Sequence, residues 1–170
     1  ILVTGNQRTC LPDALFHLLV GCSLVSGTND EYDAVLSIMP PAGSDHDTLF
    51  TTADEYVQKK FNWTLKRVTS SFNSCKGGAA LAVLRSKGFL IIQLLIAYHK
   101  DDKKPDLHCV AYDGVEIKDN ARTAKVKIID DTDRDPFQPH KAREVFDSLF
   151  RKGLQVRIKN VYELAPLWKL

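Results

Sequence analysis

A cysteine stands where a polar run turns into an apolar one, in Gly5-Asn6-Gln7-Arg8-Thr9-Cys10-Leu11-Pro12-Asp13-Ala14-Leu15. Thr9 is a good N-cap and Pro12 is tolerated only in a first turn, so Cys10 falls at a helix start. A thiol there meets unpaired backbone N–H groups and the positive end of the helix dipole, and both favour thiolate. The same N–H groups can receive a developing oxyanion. A second cluster lies far along the chain. Asp113-Gly114 between alternating segments is a hairpin signal. As a two-residue turn it pairs Tyr112 with Val115, Val110 with Ile117 and His108 with Asp119. Directly opposed Cβ atoms lie about 4.5–5.5 Å apart, within side-chain hydrogen-bond reach. A carboxylate so placed holds an imidazole in one tautomer and stabilises its protonated form. A one-residue slip brings in Asn120 instead, and Asp130 is a more distant candidate for the acid. Cys10, His108 and Asp119 would be nucleophile, base and orienter, the parts that thiol acyl transfer requires.

These residues need elements to hold them. Leu11, Ala14, Leu15, Leu18, Leu19 and Cys22 form one helical stripe, and Phe16 and Val20 widen it until the helix is apolar almost all round. Such a helix belongs inside a domain. It runs to about Val20 and stops at Gly21. Thr28-Asn29-Asp30-Glu31 is a capping box for a second helix, ended near Met39 by Pro40-Pro41. Ala42 to Asp47 reads as a polar loop. Thr52-Ala53-Asp54-Glu55 is a further capping box, for a short helix through Phe61. Trp63 to Val68 alternates as a half-buried strand, and Lys76 to Ser86 reads as a helix. Phe89 to Ala97 is almost wholly apolar and is a central strand. Strands follow at Leu107 to Tyr112, Val115 to Asp119 and Val126 to Ile129. A helix over Lys141 to Lys152 and a last strand over Leu154 to Val161 complete the order. Cys109 and Ala111 would lie on the wetter face of their hairpin. Helices first and an antiparallel sheet after them make an α+β domain, with residues 1–170 as one unit.

Composition bounds the function. The chain has 170 residues, 44% hydrophobic and 26% charged, enough for a core without covalent staples. A formal net charge of +2 with no basic cluster gives no reason to expect nucleic acid. No apolar run reaches spanning length, so no membrane partner is expected, and no signal-peptide pattern is read at the abrupt start, Ile1. The four cysteines lack CxxC spacing and read as free thiols of a reducing compartment, cytoplasmic or nuclear. Cys22, Cys75 and Cys109 sit at no helix start and are expected to be dispensable. Asp13 and His17, at i and i+4, read as a helix-surface pair. Asp130 to Asp135 lacks the glycine and glutamate of a calcium loop, Gly77-Gly78 lacks the lysine of a phosphate loop, and no metal or cofactor is implied.

In this order of parts the chain resembles the papain-like cysteine peptidase superfamily. Cys10-Leu11-Pro12-Asp13-Ala14-Leu15 is similar to the cysteine motif of ovarian-tumour-type deubiquitinases, in which a Cys-Leu step is followed by Ala-Leu. The tail resembles Josephin-type domains, with a histidine strand, an acid or amide strand, a helix and a final strand. The resemblance implies N-terminal helices with the nucleophile helix packed on an antiparallel β-sheet. It implies Cys10, His108 and Asp119 as the triad and cleavage after the C-terminal glycine of ubiquitin or a ubiquitin-like protein. Many such families carry an oxyanion-hole glutamine five or six residues before the cysteine, where this chain has Gly5 and Thr4. Gln7 is carried over in that role, with Asn6 second. An aromatic commonly follows the histidine, and here it is Cys109. Two other readings stand beside this one. One is a viral or mobile-element peptidase that processes its own polyprotein. The other is a non-catalytic module that docks ubiquitin on the same fold.

Overall fold

The computed structural model describes residues 10–39, 45–76, 78–97, 106–113, 125–129, 140–141 and 155–169. Helix α1 spans Cys10–Gly21, and Leu15, Phe16, Leu18 and Leu19 are almost completely buried along it. Burying each of those side chains is worth about 1.5–3 kcal/mol, so α1 is the centre of its half of the core. Helix α2, Asn29–Ser37, opens with the expected capping box: Thr28 accepts from the Glu31 N–H, and the Glu31 carboxylate returns to the Thr28 N–H.

Helix α3 runs over His46–Phe61 and starts earlier than the box at Thr52 suggested. Asp45 is its N-cap, accepting from the Thr48 N–H at 2.7 Å. The stripe of Leu49, Phe50, Ala53, Tyr56 and Val57 joins the core beside α1, and that burial extends the helix through what read as a loop. Asn62 ends it in the left-handed region at φ 58°, a conformation asparagine tolerates. Asp54 then ties α3 to strand β1, Trp63–Arg67, accepting from Thr64 Oγ1 at 2.8 Å and the Leu65 N–H at 2.9 Å. Two short helices follow, α4 over Thr69–Asn73, which the sequence pattern did not suggest, and α5 over Gly78–Arg85.

The remaining elements are strands β2 (Phe89–Ala97), β3 (Asp106–Asp113), β4 (Lys125–Ile129), β5 (His140–Lys141) and β6 (Gln155–Pro166). They pair antiparallel in the order β1-β6-β2-β3-β4-β5. Central β2 therefore lies between the last strand and β3, and its apolar run is buried on both faces. On one face Ile91 packs with Cys109, Ala111, Tyr162 and α1. On the other Leu90, Ile92 and Leu94 pack with Val110, Tyr112 and Val83 of α5. Period-two alternation divides β2, β3 and β6 between these two half-cores. Cys109 and Ala111 are thus interior, not on a wet face, because α1 covers them.

Three further expectations change. The last strand continues past Val161 to Pro166, because Tyr162 to Pro166 pair with β1 from the other end of the chain. Lys141, expected to open a helix, is in β5 and pairs with Lys125; residues 142–152 of that helix lie outside the described residues. The edge of β3 away from β2 is paired at Ala111, Tyr112 and Asp113 with Ile129, Ile128 and Lys127, so the neighbour of Tyr112 on that edge is Ile128 and not the expected Val115. Val126, Ile128 and Ile129 form a more apolar, β-branched strand than Val115 to Asp119.

Candidate active site

Helix α1 packs along β3 and lies close to it at both ends. At its C-terminal end a Cβ on Gly21 would sit 3.3 Å from Asp113 Oδ2, so glycine permits the close approach. At its N-terminal end Cys10 meets His108 and Cys109, near the start of the strand. Residues remote in sequence are brought together because one buried helix spans the length of one buried strand.

The Cys10 thiol is lowered from 9.0 to about 5. The largest cause is a hydrogen bond from the Cys109 side chain. Burial opposes it. The His108 side chain adds a hydrogen bond, the Cys109 backbone another, and the charge of His108 a last increment. These contacts favour the Cys10 thiolate, the form that attacks carbonyl carbon. Cys109 moves the opposite way, well above 9.0, because it donates to Cys10 and is buried. The two adjacent thiols are thus shifted in opposite directions by the hydrogen bond that joins them. Cys10 is only 3% exposed, and His108 is half-buried.

Of the residues expected at the site, the structure brings Cys10 and His108 together. Asn6, Gln7, Asp119, Asn120 and Asp130 lie outside the described residues. The register that set Asp119 opposite His108 is not the one β3 adopts at Ala111 to Asp113.

Two features were not foreseen. Cys109 touches the nucleophile candidate, although it was expected to stand apart. The available signal was its place beside His108, with small Ala111 two residues on, where a helix could approach. The second is polar and lies next in the sheet. Gln93 of β2 pairs with Cys109 across the ladder and is 1% exposed. Asn160 Nδ2 donates to Gln93 Oε1 at 2.8 Å, and Thr69 Oγ1 donates to Asn160 Oδ1 at 3.1 Å. A register shift in the β2–β6 ladder falls at Gln93/Leu94. One glutamine inside an apolar run was its only trace in sequence.

Asp13 and His17 are not on the surface, and each is 3% exposed. The Tyr32 hydroxyl of α2 donates to Asp13 Oδ1, and burial pulls the His17 imidazole down to about 4. An i, i+4 polar pair looks like a surface pair only while the covering helix is unknown. Among the described residues no group of three or more His, Cys, Asp or Glu stands together as metal ligands. No described helix is long and apolar enough to cross a membrane. A cavity of about 270 Å³ opens between Asp47, Phe50, Arg67 and Tyr162, and neither Cys10 nor His108 lines it.

Fold and site define an α+β domain with an antiparallel sheet, in which a buried thiol at the start of the first described helix meets a half-buried imidazole of β3. No protein-family model, curated protein or solved structure matches the chain, so function is read from these residues and their geometry.

Proposed function

We propose that the protein is a papain-like cysteine peptidase or isopeptidase, with Cys10 as nucleophile and His108 as general base. The observation that carries this reading is the hydrogen-bond contact of the His108 side chain with Cys10 at a helix N-terminus. The Cys10 sulfur attacks the scissile carbonyl carbon, and the oxyanion forms against backbone N–H groups at the start of α1, with Gln7 or Asn6 completing the cradle. His108 gives its proton to the leaving amine, which departs and leaves a thioester on Cys10. His108 then takes a proton from water, whose oxygen displaces the thiolate. The group that orients the imidazole, Asp119 with Asn120 and Asp130 in reserve, is carried over from the family resemblance, since the hairpin register that set Asp119 opposite His108 is not the one β3 adopts at Ala111 to Asp113.

The substrate follows from the likeness of Cys10 to Leu15 to ovarian-tumour-type motifs: the C-terminal glycine of ubiquitin or a ubiquitin-like protein. Free thiols suit a reducing compartment, cytoplasm or nucleus. A polyprotein-processing peptidase would use the same groups on another scissile bond. The near-complete burial of Cys10 favours one further reading, a ubiquitin-docking module that performs no chemistry. Ubiquitin bearing a C-terminal electrophile separates them. A covalent adduct that disappears in Cys10→Ala supports the deubiquitinase; binding without an adduct supports the module; neither adduct nor binding removes ubiquitin as the partner.

A further inference from the structure

We propose that Cys10 and Cys109 form a reversible redox pair, in which a hydroperoxide oxidises Cys10 and Cys109 then closes a disulfide onto it. That this would switch an activity off rests on the peptidase reading above; the chemistry of the pair does not.

The geometry points to this in three ways. Both cysteines are 3% exposed and belong to one packed cluster, Cys10 at the first turn of α1 and Cys109 on the β3 face that α1 covers. Their side chains are already in hydrogen-bond contact, so the sulfurs need to close only from that separation to a bond of about 2.05 Å. Helix α1 packs along β3 and approaches it closely at the far end as well, at Gly21 and Asp113. The other cysteines are placed differently. Cys22 is at the opposite end of α1, and exposed Cys75 donates to the Ser71 carbonyl at 3.2 Å.

The steps balance with a hydroperoxide as the oxidant. The Cys10 thiolate attacks the terminal peroxide oxygen and the O–O bond breaks. Cys10 becomes the sulfenic acid, and the leaving alkoxide or hydroxide takes a proton. The Cys109 sulfur then displaces the hydroxyl of Cys10-SOH, its own proton leaves with that hydroxyl as water, and an S–S bond forms. Two thiols lose two electrons and the peroxide gains them. Without a neighbouring thiol, sulfenic acid is open to further oxidation to the sulfinic and sulfonic acids, which thiol reductants do not reverse.

The test uses hydrogen peroxide on the reduced full chain, followed by alkylation and peptide mass mapping without reductant. The expected product is one linked peptide pair joining Cys10 to Cys109, two hydrogens lighter than the free peptides and separated by dithiothreitol. Peroxide should also abolish adduct formation with the electrophilic ubiquitin, and dithiothreitol should restore it. In Cys109→Ala, and in Cys109→Ser as the more polar replacement, Cys10 should pass to sulfinic and sulfonic acid with no recovery. Mapping of the unmutated protein decides the matter even if both variants fail to fold. Sulfinic Cys10 without a linked pair, a pair containing Cys22 or Cys75, or an inert Cys10 overturns the proposal. A Cys10–Cys109 disulfide in a protein that never reacts with the ubiquitin probe upholds the pair and removes the deubiquitinase reading. An adduct without a disulfide does the reverse.

Discussion

The two ends of α1 present the same side chain to the same strand with opposite results. At the start, Cys10 faces His108 and Cys109 and is lowered to about 5. Just past the other end, Cys22 faces Asp113 and is raised to about 12. Both thiols are largely withdrawn from water, and burial by itself raises both. What differs is the company. Cys10 receives hydrogen bonds at the positive end of the helix dipole. Cys22 has a carboxylate nearby at the negative end. The acidity of a buried cysteine therefore reports its neighbours before its depth, and a helix supplies two unlike ends on which to place one.

The largest way to break this contrast is to remove the first sulfur. Cys10→Ala should abolish the adduct with electrophilic ubiquitin while leaving the far-UV circular dichroism unchanged. Persistent reaction in that variant would place the nucleophile elsewhere. His108→Ala comes next, with turnover of a ubiquitin substrate expected to fall by roughly 10²–10⁴-fold, the range that general acid–base catalysis supplies. A loss of less than a few fold would leave His108 without the base role.

Proton titration sharpens the comparison without any substrate. Alkylation of Cys10 by iodoacetamide, followed by mass mapping, should rise through a midpoint near pH 5, whereas Cys22 should stay protonated until about pH 12. The sign for stability follows. The folded value for Cys10 lies below the ordinary 9.0, so its contribution is complete above about pH 9 and is lost as pH falls to about 5. A Cys10 midpoint at 9 or higher would erase the contrast. A smaller change should come from Asp113→Asn. Removing the carboxylate should bring the Cys22 midpoint down yet leave it above 9.0, since burial is the larger cause of its rise. If the midpoint does not move, Asp113 has no part in it.

The smallest expected effect is a control away from both ends. Thr28→Ala removes the cap of α2 and should lower stability by about 1 kcal/mol, read as a urea midpoint, with Cys10 alkylation unchanged. A shift in Cys10 reactivity there would mean that α2 holds the site through Tyr32 and Asp13 more tightly than a cap-sized effect allows.

What the amino-acid sequence by itself determined was the physics within a few residues of each position. The stripe from Leu11 to Cys22 required a buried helix, Thr28 and Glu31 wrote a capping box, and the run from Phe89 to Ala97 required a central strand; all three are as the structure has them. The cysteine at a helix start and a histidine strand were legible for the same reason. Their meeting, and the rest, were decided only in three dimensions. Tyr162 to Pro166 became strand because β1 supplied the ladder, Asp13 and His17 became interior because other elements covered them, and Ile128 displaced Val115 as the neighbour of Tyr112. Cys109 came to lie against Cys10 because α1 and β3 run side by side. Each of these depends on a partner distant in the chain. Propensity, capping and periodicity act over one or two turns, whereas pairing and burial are settled by whichever distant surface completes the lowest free energy.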